Sequence, residues 1–140
     1  MKPLSLVFLI DDDETTNFIN HRTLVKSNIA QNIAIYPDAE DALAYLQQAV
    51  TTPGTQVLPE LIFLDIKMPK MDGFEFLEAY RQLNIPSTLA PQIMMLTSSA
   101  SFYDLNRLEK YNVVKRHFPK PLTDYDVKQI IQDFFPEHAA

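Results

Sequence analysis

The 140-residue chain contains no cysteine, which excludes a disulfide scaffold and thiolate metal sites and suits a reducing, cytoplasmic setting. No run approaches the roughly 20 apolar residues of a bilayer span, so no membrane insertion is expected. The N-terminal "MKPLSLVFLI" starts like a signal peptide, but it flows into "DDDE" without a small-residue cleavage site and reads as a first strand. Positive charge is also short. Twelve Lys and Arg against 18 Asp and Glu leave a net charge of -6, which argues against direct nucleic-acid binding by this chain. Glycine is missing from the turn after the first strand, and a nucleotide-binding Rossmann loop needs it there.

What remains is globular in character. The chain is 46% hydrophobic and 21% charged, and its length suits one domain burying roughly two-thirds of its unfolded surface. Residues 1–140 are read as a single domain without internal repeats, low-complexity segments or an output domain. "LSLVFLI" is a continuous apolar run of strand length. "DETTNFINHRTLVKSN" follows as a helix, with Phe18, Ile19 and Val25 at mixed helical spacing. The pattern repeats through "NIAIY" and "AEDALAYLQQAV", with Asp38 as N-cap, and through "LIFLD" and "GFEFLEAYRQL". It closes with "QIMMLTSS", "SFYDLNRLEKY", "VVKRHF" and "DYDVKQIIQDFF". Five strands alternating with five helices, the strands apolar rather than alternating, predict an α/β fold with a doubly wound parallel sheet.

In such a sheet the strand C-termini share one edge, and ligands bind outside it. The residues at those ends are Asp11 and Asp12, Asp65, Thr97 and Ser98, and Lys120. Two carboxylates about 4 Å apart repel by about 4 kcal/mol at an effective dielectric of 20, so the cluster calls for a cation or a shifted pKa. Oxygen-only ligands point to Mg2+, which binds one or two carboxylates together with a phosphate oxygen. Singly, each residue has a plainer use. "DDDE" can cap a helix, Thr97 can satisfy a strand end, and Lys120 can be a solvated charge.

Taken together, "LIDDDE", "LIFLDIKMPKMDGFEFL", "MMLTSS" and "FPKPLT" occur in an order that resembles the receiver domain of two-component response regulators, of the single-domain chemotaxis-regulator type. The resemblance covers nearly the whole chain and implies a flavodoxin-like receiver fold of strand order 2-1-3-4-5. It implies that Asp65 accepts a phosphoryl group from a histidine kinase or a histidine phosphotransfer protein. Asp12 would ligate Mg2+ directly, Asp11 through water and Lys67 through its carbonyl. Thr97, Ser98 and Lys120 would bind the phosphoryl group, and Thr97 would move on activation with His117, which stands where the family usually has an aromatic ring. Lys67 and Ser99 would be rim residues shielding the aspartyl phosphate. A downstream protein would be met by the face of the fourth helix, fifth strand and fifth helix, drawing on Asp104, Arg107, Leu108, Tyr111, Arg116 and His117. Asn112 is expected to end the fourth helix in the left-handed region. His21 and His138 are expected to face solvent without a role.

Two other readings remain in view. Asp11-Asp12-Asp13-Glu14-Thr15 also fits the nucleophile motif of haloacid-dehalogenase-like phosphatases, with Asp11 as nucleophile. That family needs a further acidic pair on a strand after the lysine, whereas here a helix carrying Asp124 and Asp126 follows Lys120, and it has no use for Asp65-x-x-Met-Pro. A receiver that only binds a partner would lack its phosphoacceptor or lysine, and both are present. The sequence thus reads as a signalling switch rather than an enzyme with an external substrate.

Overall fold

A computed structural model describes residues 3–98 and 102–138. Among these, five strands, β1 (Leu4–Ile10), β2 (Ala30–Tyr36), β3 (Leu61–Asp65), β4 (Gln92–Thr97) and β5 (Val114–Pro119), alternate with five helices. The helices are α1 (Glu14–Lys26), α2 (Ala39–Thr51), α3 (Gly73–Gln82), α4 (Phe102–Leu108) and α5 (Asp124–Phe134), and a 3₁₀ turn follows at Pro136–His138. Every strand pairs in parallel, in the order β2-β1-β3-β4-β5. The doubly wound parallel sheet is the one the alternation predicts, and its order is the one the family resemblance implies.

The central strands are apolar on both sides because each side is covered. Leu9, Phe63, Met94 and Leu96 pack with Leu24 of α1 and Val127, Ile130 and Ile131 of α5. The intervening residues Phe8, Ile10, Ile62, Leu64 and Met95 pack with Leu46 of α2, Phe74 and Leu77 of α3 and Leu108 of α4. The period of two in each strand therefore separates two cores, one on each face of the sheet. The edge strand β5 exposes Lys115, Arg116 and His117, and such a charged edge resists further strand pairing.

Capping fixes where the helices begin. Asp38 starts α2 as expected, accepting a hydrogen bond from the Glu40 N–H at 2.9 Å. Reciprocal capping boxes start α3 (Asp72 with Glu75) and α5 (Thr123 with Asp126), each satisfying two otherwise unpaired backbone donors.

Three expectations are corrected. Phe18, Ile19 and Val25 are exposed, and the buried positions of α1 are Asn17, Asn20 and Leu24. The helix is where the spacing put it, but those apolar residues do not form its core face. α4 ends at Leu108, before Asn112, and the asparagines with positive φ are Asn28 and Asn84, which follow α1 and α3. His138 is buried rather than solvent-facing, its ring edge-on to Phe135 with centroids 6.0 Å apart. His21 is half-buried.

Candidate functional site

The C-terminal ends of β1 and β3 lie side by side, with Ile10 in register with Leu64. Asp11, which follows Ile10, and Asp65 therefore fall at one sheet edge. With Asp12 they form a cluster in which one oxygen from each carboxylate lies within 4.8 Å of the others. The Lys120 Nζ donates to Asp11 Oδ2 at 2.9 Å and sits 3.2 Å from Asp65 Oδ1. The other oxygen of Asp11 accepts from the Asp13 N–H at 2.9 Å, so both carboxylate oxygens of this buried group are engaged. The three consecutive aspartates divide their work. Asp11 is buried and paired, Asp12 is exposed at the mouth, and Asp13 caps α1 by accepting from Thr16. Those Thr16 hydrogen bonds hold the Asp13 carboxyl below its ordinary range.

Electrostatically the cluster is short of positive charge. Burial, and then the neighbouring Asp11 charge, push the Asp65 carboxyl up to about 6, although Lys120 pulls the other way. For Lys120 burial alone would lower the ammonium, but hydrogen bonding and charge from Asp11 and Asp65 outweigh it and the net shift is upward. Three carboxylates facing one ammonium suit a further cation. The all-oxygen donor set and the exposure of Asp12 fit a hard divalent ion such as Mg2+.

The remaining candidates lie around this centre. Asp65 is in register with Leu96, so Thr97, the last residue of β4, stands beside the acidic cluster. It is buried, and its carbonyl accepts from the Lys120 N–H at 2.8 Å, tying the β5–α5 connection to the end of β4. Ser98 is exposed immediately beyond. Lys67 follows Ile66 with an exposed side chain. Ser99 lies outside the described residues. His117 is in register with Met95, two positions before Thr97 and Pro119, so His117 and Thr97 face the same side of the sheet. The imidazole is exposed. On the expected output face Asp104 and Leu108 are buried, which removes them from a contact surface. Arg107 and Tyr111 are half-buried, and Arg116 is exposed.

Three residues at the site escaped the sequence reading. Gly73 reads as a turn residue in "MDG", yet a Cβ there would lie 2.5 Å from the Asp65 carbonyl oxygen and 3.0 Å from the Ile66 Cα. The residue is glycine because α3 begins against the end of β3. Asn17 Nδ2 donates to the Asp11 carbonyl at 2.8 Å, and Asn20 Oδ1 accepts from the Leu122 N–H at 2.8 Å. Two asparagines one turn apart, where a helix over a sheet calls for apolar residues, were the available sequence sign.

The comparisons with known proteins agree with this geometry. The family model described as "Response regulator receiver domain" matches residues 7–132. Among curated proteins, the chain is 27% identical over 128 residues to the probable methanogenesis regulatory protein FilR2 of Methanothrix harundinacea, covering 91% of this chain and 79% of that protein. It is 30% identical over 96 residues to the response regulator Rcp1 of Synechocystis, covering 69% of this chain and 64% of that one. Among solved structures, a two component response regulator from Cytophaga hutchinsonii superposes with a TM-score of 0.82 at 24% identity, covering 94% of this chain and 96% of that one.

Proposed function

The chain belongs to the response regulator receiver domain family, and on that premise we propose that it is a phosphoacceptor switch of a two-component system or phosphorelay, phosphorylated on Asp65. The observation that carries this reading is the Lys120 ammonium shared between Asp11 and Asp65 inside a three-carboxylate cluster. A buried carboxylate at the sheet edge, with a cation already beside it, suits attack on phosphorus. One Asp65 oxygen forms the new P–O bond while the bond from phosphorus to the donor's leaving group breaks, the imidazole nitrogen if the donor is a phosphohistidine. The electron pair leaves with that group, which takes up a proton. Lys120 then pairs with a phosphoryl oxygen, a charge-assisted contact, and Thr97 and Ser98 offer hydroxyl donors. Bound Mg2+, held by Asp11, Asp12, Asp65 and the Lys67 carbonyl, would neutralise the carboxylates and take a phosphoryl oxygen.

The donor would be a histidine kinase or a histidine phosphotransfer protein, and the phosphorylated form would be read by another protein. We place this exchange in the cytoplasm. No helix among the described residues is long and apolar enough to cross a membrane. One surface favours a protein donor. A groove lined by Asp12, Glu14, Asn17, Phe18, Ile35 and Pro37 opens beside the carboxylates, and Phe18 and Ile35 in it are exposed.

Incubation with a small phosphodonor and Mg2+, followed by mass spectrometry, should show one phosphoryl group on the wild type and none on Asp65→Asn. Labelling lost in Asp11→Asn but kept in Asp65→Asn would instead favour the haloacid-dehalogenase-like reading.

A further inference from the structure

We propose that Asn17 and Asn20 of α1 are positioning residues that hold Lys120 and Asp11 in reach of each other, so that one helix face sets the geometry of the acceptor site from both sides. The inference rests on the phosphoacceptor reading for its consequence but on side-chain contacts for its substance. Both amides are buried, Asn20 completely. Asn17 donates to the Asp11 carbonyl, the backbone of the loop that carries the carboxylates. Asn20 accepts from the Leu122 N–H, two residues past Lys120. The Lys120 N–H is itself fixed to the Thr97 carbonyl. The lysine backbone is therefore pinned on one side by β4 and on the other by Asn20, leaving the ammonium directed at Asp11 and Asp65.

These amides are not needed to build the helix. Asp13 already caps it, and Leu24 and α5 supply the apolar packing. They also carry a penalty, because Asn17 Oδ1 and Asn20 Nδ2 have no partner among the described residues. An unpaired buried polar atom is unfavourable where an aliphatic side chain of similar size would not be. What distinguishes Asn20 from an aliphatic residue is the hydrogen bond to the segment that carries the reactive lysine.

The test uses the whole chain. Asn20→Leu removes the acceptor while keeping the branched heavy-atom shape, and Asn20→Ala serves if the bulkier leucine does not fold. With a small phosphodonor and Mg2+, the phosphorylation rate at saturating donor should fall about tenfold or more, as expected when a reacting group is misplaced by a fraction of an ångström. Donor half-saturation and Mg2+ affinity should stay as in the wild type. Adding the change to Lys120→Met should produce no further loss, since a residue acting through the lysine has nothing to position once it is gone. A second readout needs no phosphorylation. NMR relaxation of the Lys120 side-chain methylenes in the unmodified protein should show a drop in order in the Asn20 variant, with Lys70 as the exposed reference. Unchanged Lys120 order, an unchanged rate, or a loss that persists in the Lys120→Met background would each overturn the positioning role. Failure of the wild type to accept any phosphoryl group would sink the phosphoacceptor reading instead, and the NMR result would still decide whether Asn20 orders Lys120.

Discussion

Asp65 is buried beside Asp11, and its carboxyl is pushed up to about 6. The consequence is a stability that depends on pH. The folded state holds this proton more tightly than the unfolded chain, where an aspartate titrates near 3.9. The folded state is thus favoured below about pH 4, and that contribution is lost as pH rises through about 6. Thermal melts without divalent cations should show Tm falling across that window. In Asp65→Asn the fall should be largely absent, leaving the variant more stable than wild type at neutral pH. Because depressed carboxylates such as Asp13 contribute with the opposite sign, the comparison is with Asp65→Asn, and a wild-type Tm that does not fall relative to that variant between about pH 4 and 6 would contradict the raised carboxyl. The neighbouring aspartates make a sharper contrast. Asp12→Ala should weaken Mg2+ binding at little change in Tm, whereas Asp13→Ala should lower Tm through the lost cap and leave Mg2+ affinity alone. Equal losses of affinity at both would refute that division. At this scale the sequence was legible wherever a residue's type announces its chemistry. Asp11, Asp12, Asp65 and Lys120 carry charge, and the apolar runs before them fix the edge at which they meet. Gly73 was not legible in the same way, because its reason is a neighbour's position. Replacing it by alanine should destabilise the fold by about 1–3 kcal/mol, the usual penalty for overpacking, measurable by urea unfolding.

Among the elements, α1 departs furthest from its sequence pattern. Strand and helix alternation could be read from apolar runs and capping residues, because burial on both faces of a parallel sheet leaves few polar positions in β1, β3 and β4. The same logic misreads α1, whose inner face bonds to two loops through asparagine and whose outer face carries Phe18, Ile19 and Val25. The bounds of α4 and the left-handed residues could not be read either, since they depend on how each chain end meets its neighbours. The exposed strip has a functional consequence that can be separated from the chemistry. Arg22 and Lys26 lie along it and Asp12 and Glu14 line the groove beside Phe18, so a docking partner would present an apolar ridge flanked by charges of both signs. Phe18→Asp should slow phosphotransfer from a protein donor by at least about tenfold, the loss of a buried aromatic anchor at an interface. Labelling by a small phosphodonor should be unchanged. Equal effects on both donors would mean that Phe18 acts on the fold or the site rather than on docking.

For the molecule as a whole, the question is how a charge gained at one sheet edge reaches a surface another protein can read. On the phosphoacceptor reading, phosphorylation would replace the single carboxylate charge of Asp65 by the roughly double charge of a phosphoryl group, and moving a switch from 1:99 to 99:1 takes roughly 5.5 kcal/mol of differential interaction between its two states. Contacts to Lys120 and Thr97 supply part of that difference only if they are stronger in one state than in the other. Lys120 is already paired in the structure, so it contributes little that is new. Thr97 is the better lever, buried at the end of β4 and on the same side of the sheet as His117 of β5. Beyond it lies α4, seven residues long. It is braced against α3 by Arg107 stacked 3.8 Å from the Phe74 ring centroid, and the connection after it is braced by the Tyr111 hydroxyl donating to Glu78 at 3.0 Å. A hydroxyl drawn toward the phosphate would leave space into which His117 can turn, altering the surface formed with Arg107 and Tyr111 on the α4 side of the sheet. Thr97→Ala should therefore still be labelled on Asp65 but should bind a phosphorylation-dependent partner at least about tenfold more weakly than the wild type, which is about 1.4 kcal/mol. His117→Ala should weaken the same partner without affecting labelling. If labelled Thr97→Ala binds as well as labelled wild type in a titration with that partner, the charge is not read through the end of β4, and the bracing of α4 has no part in the response.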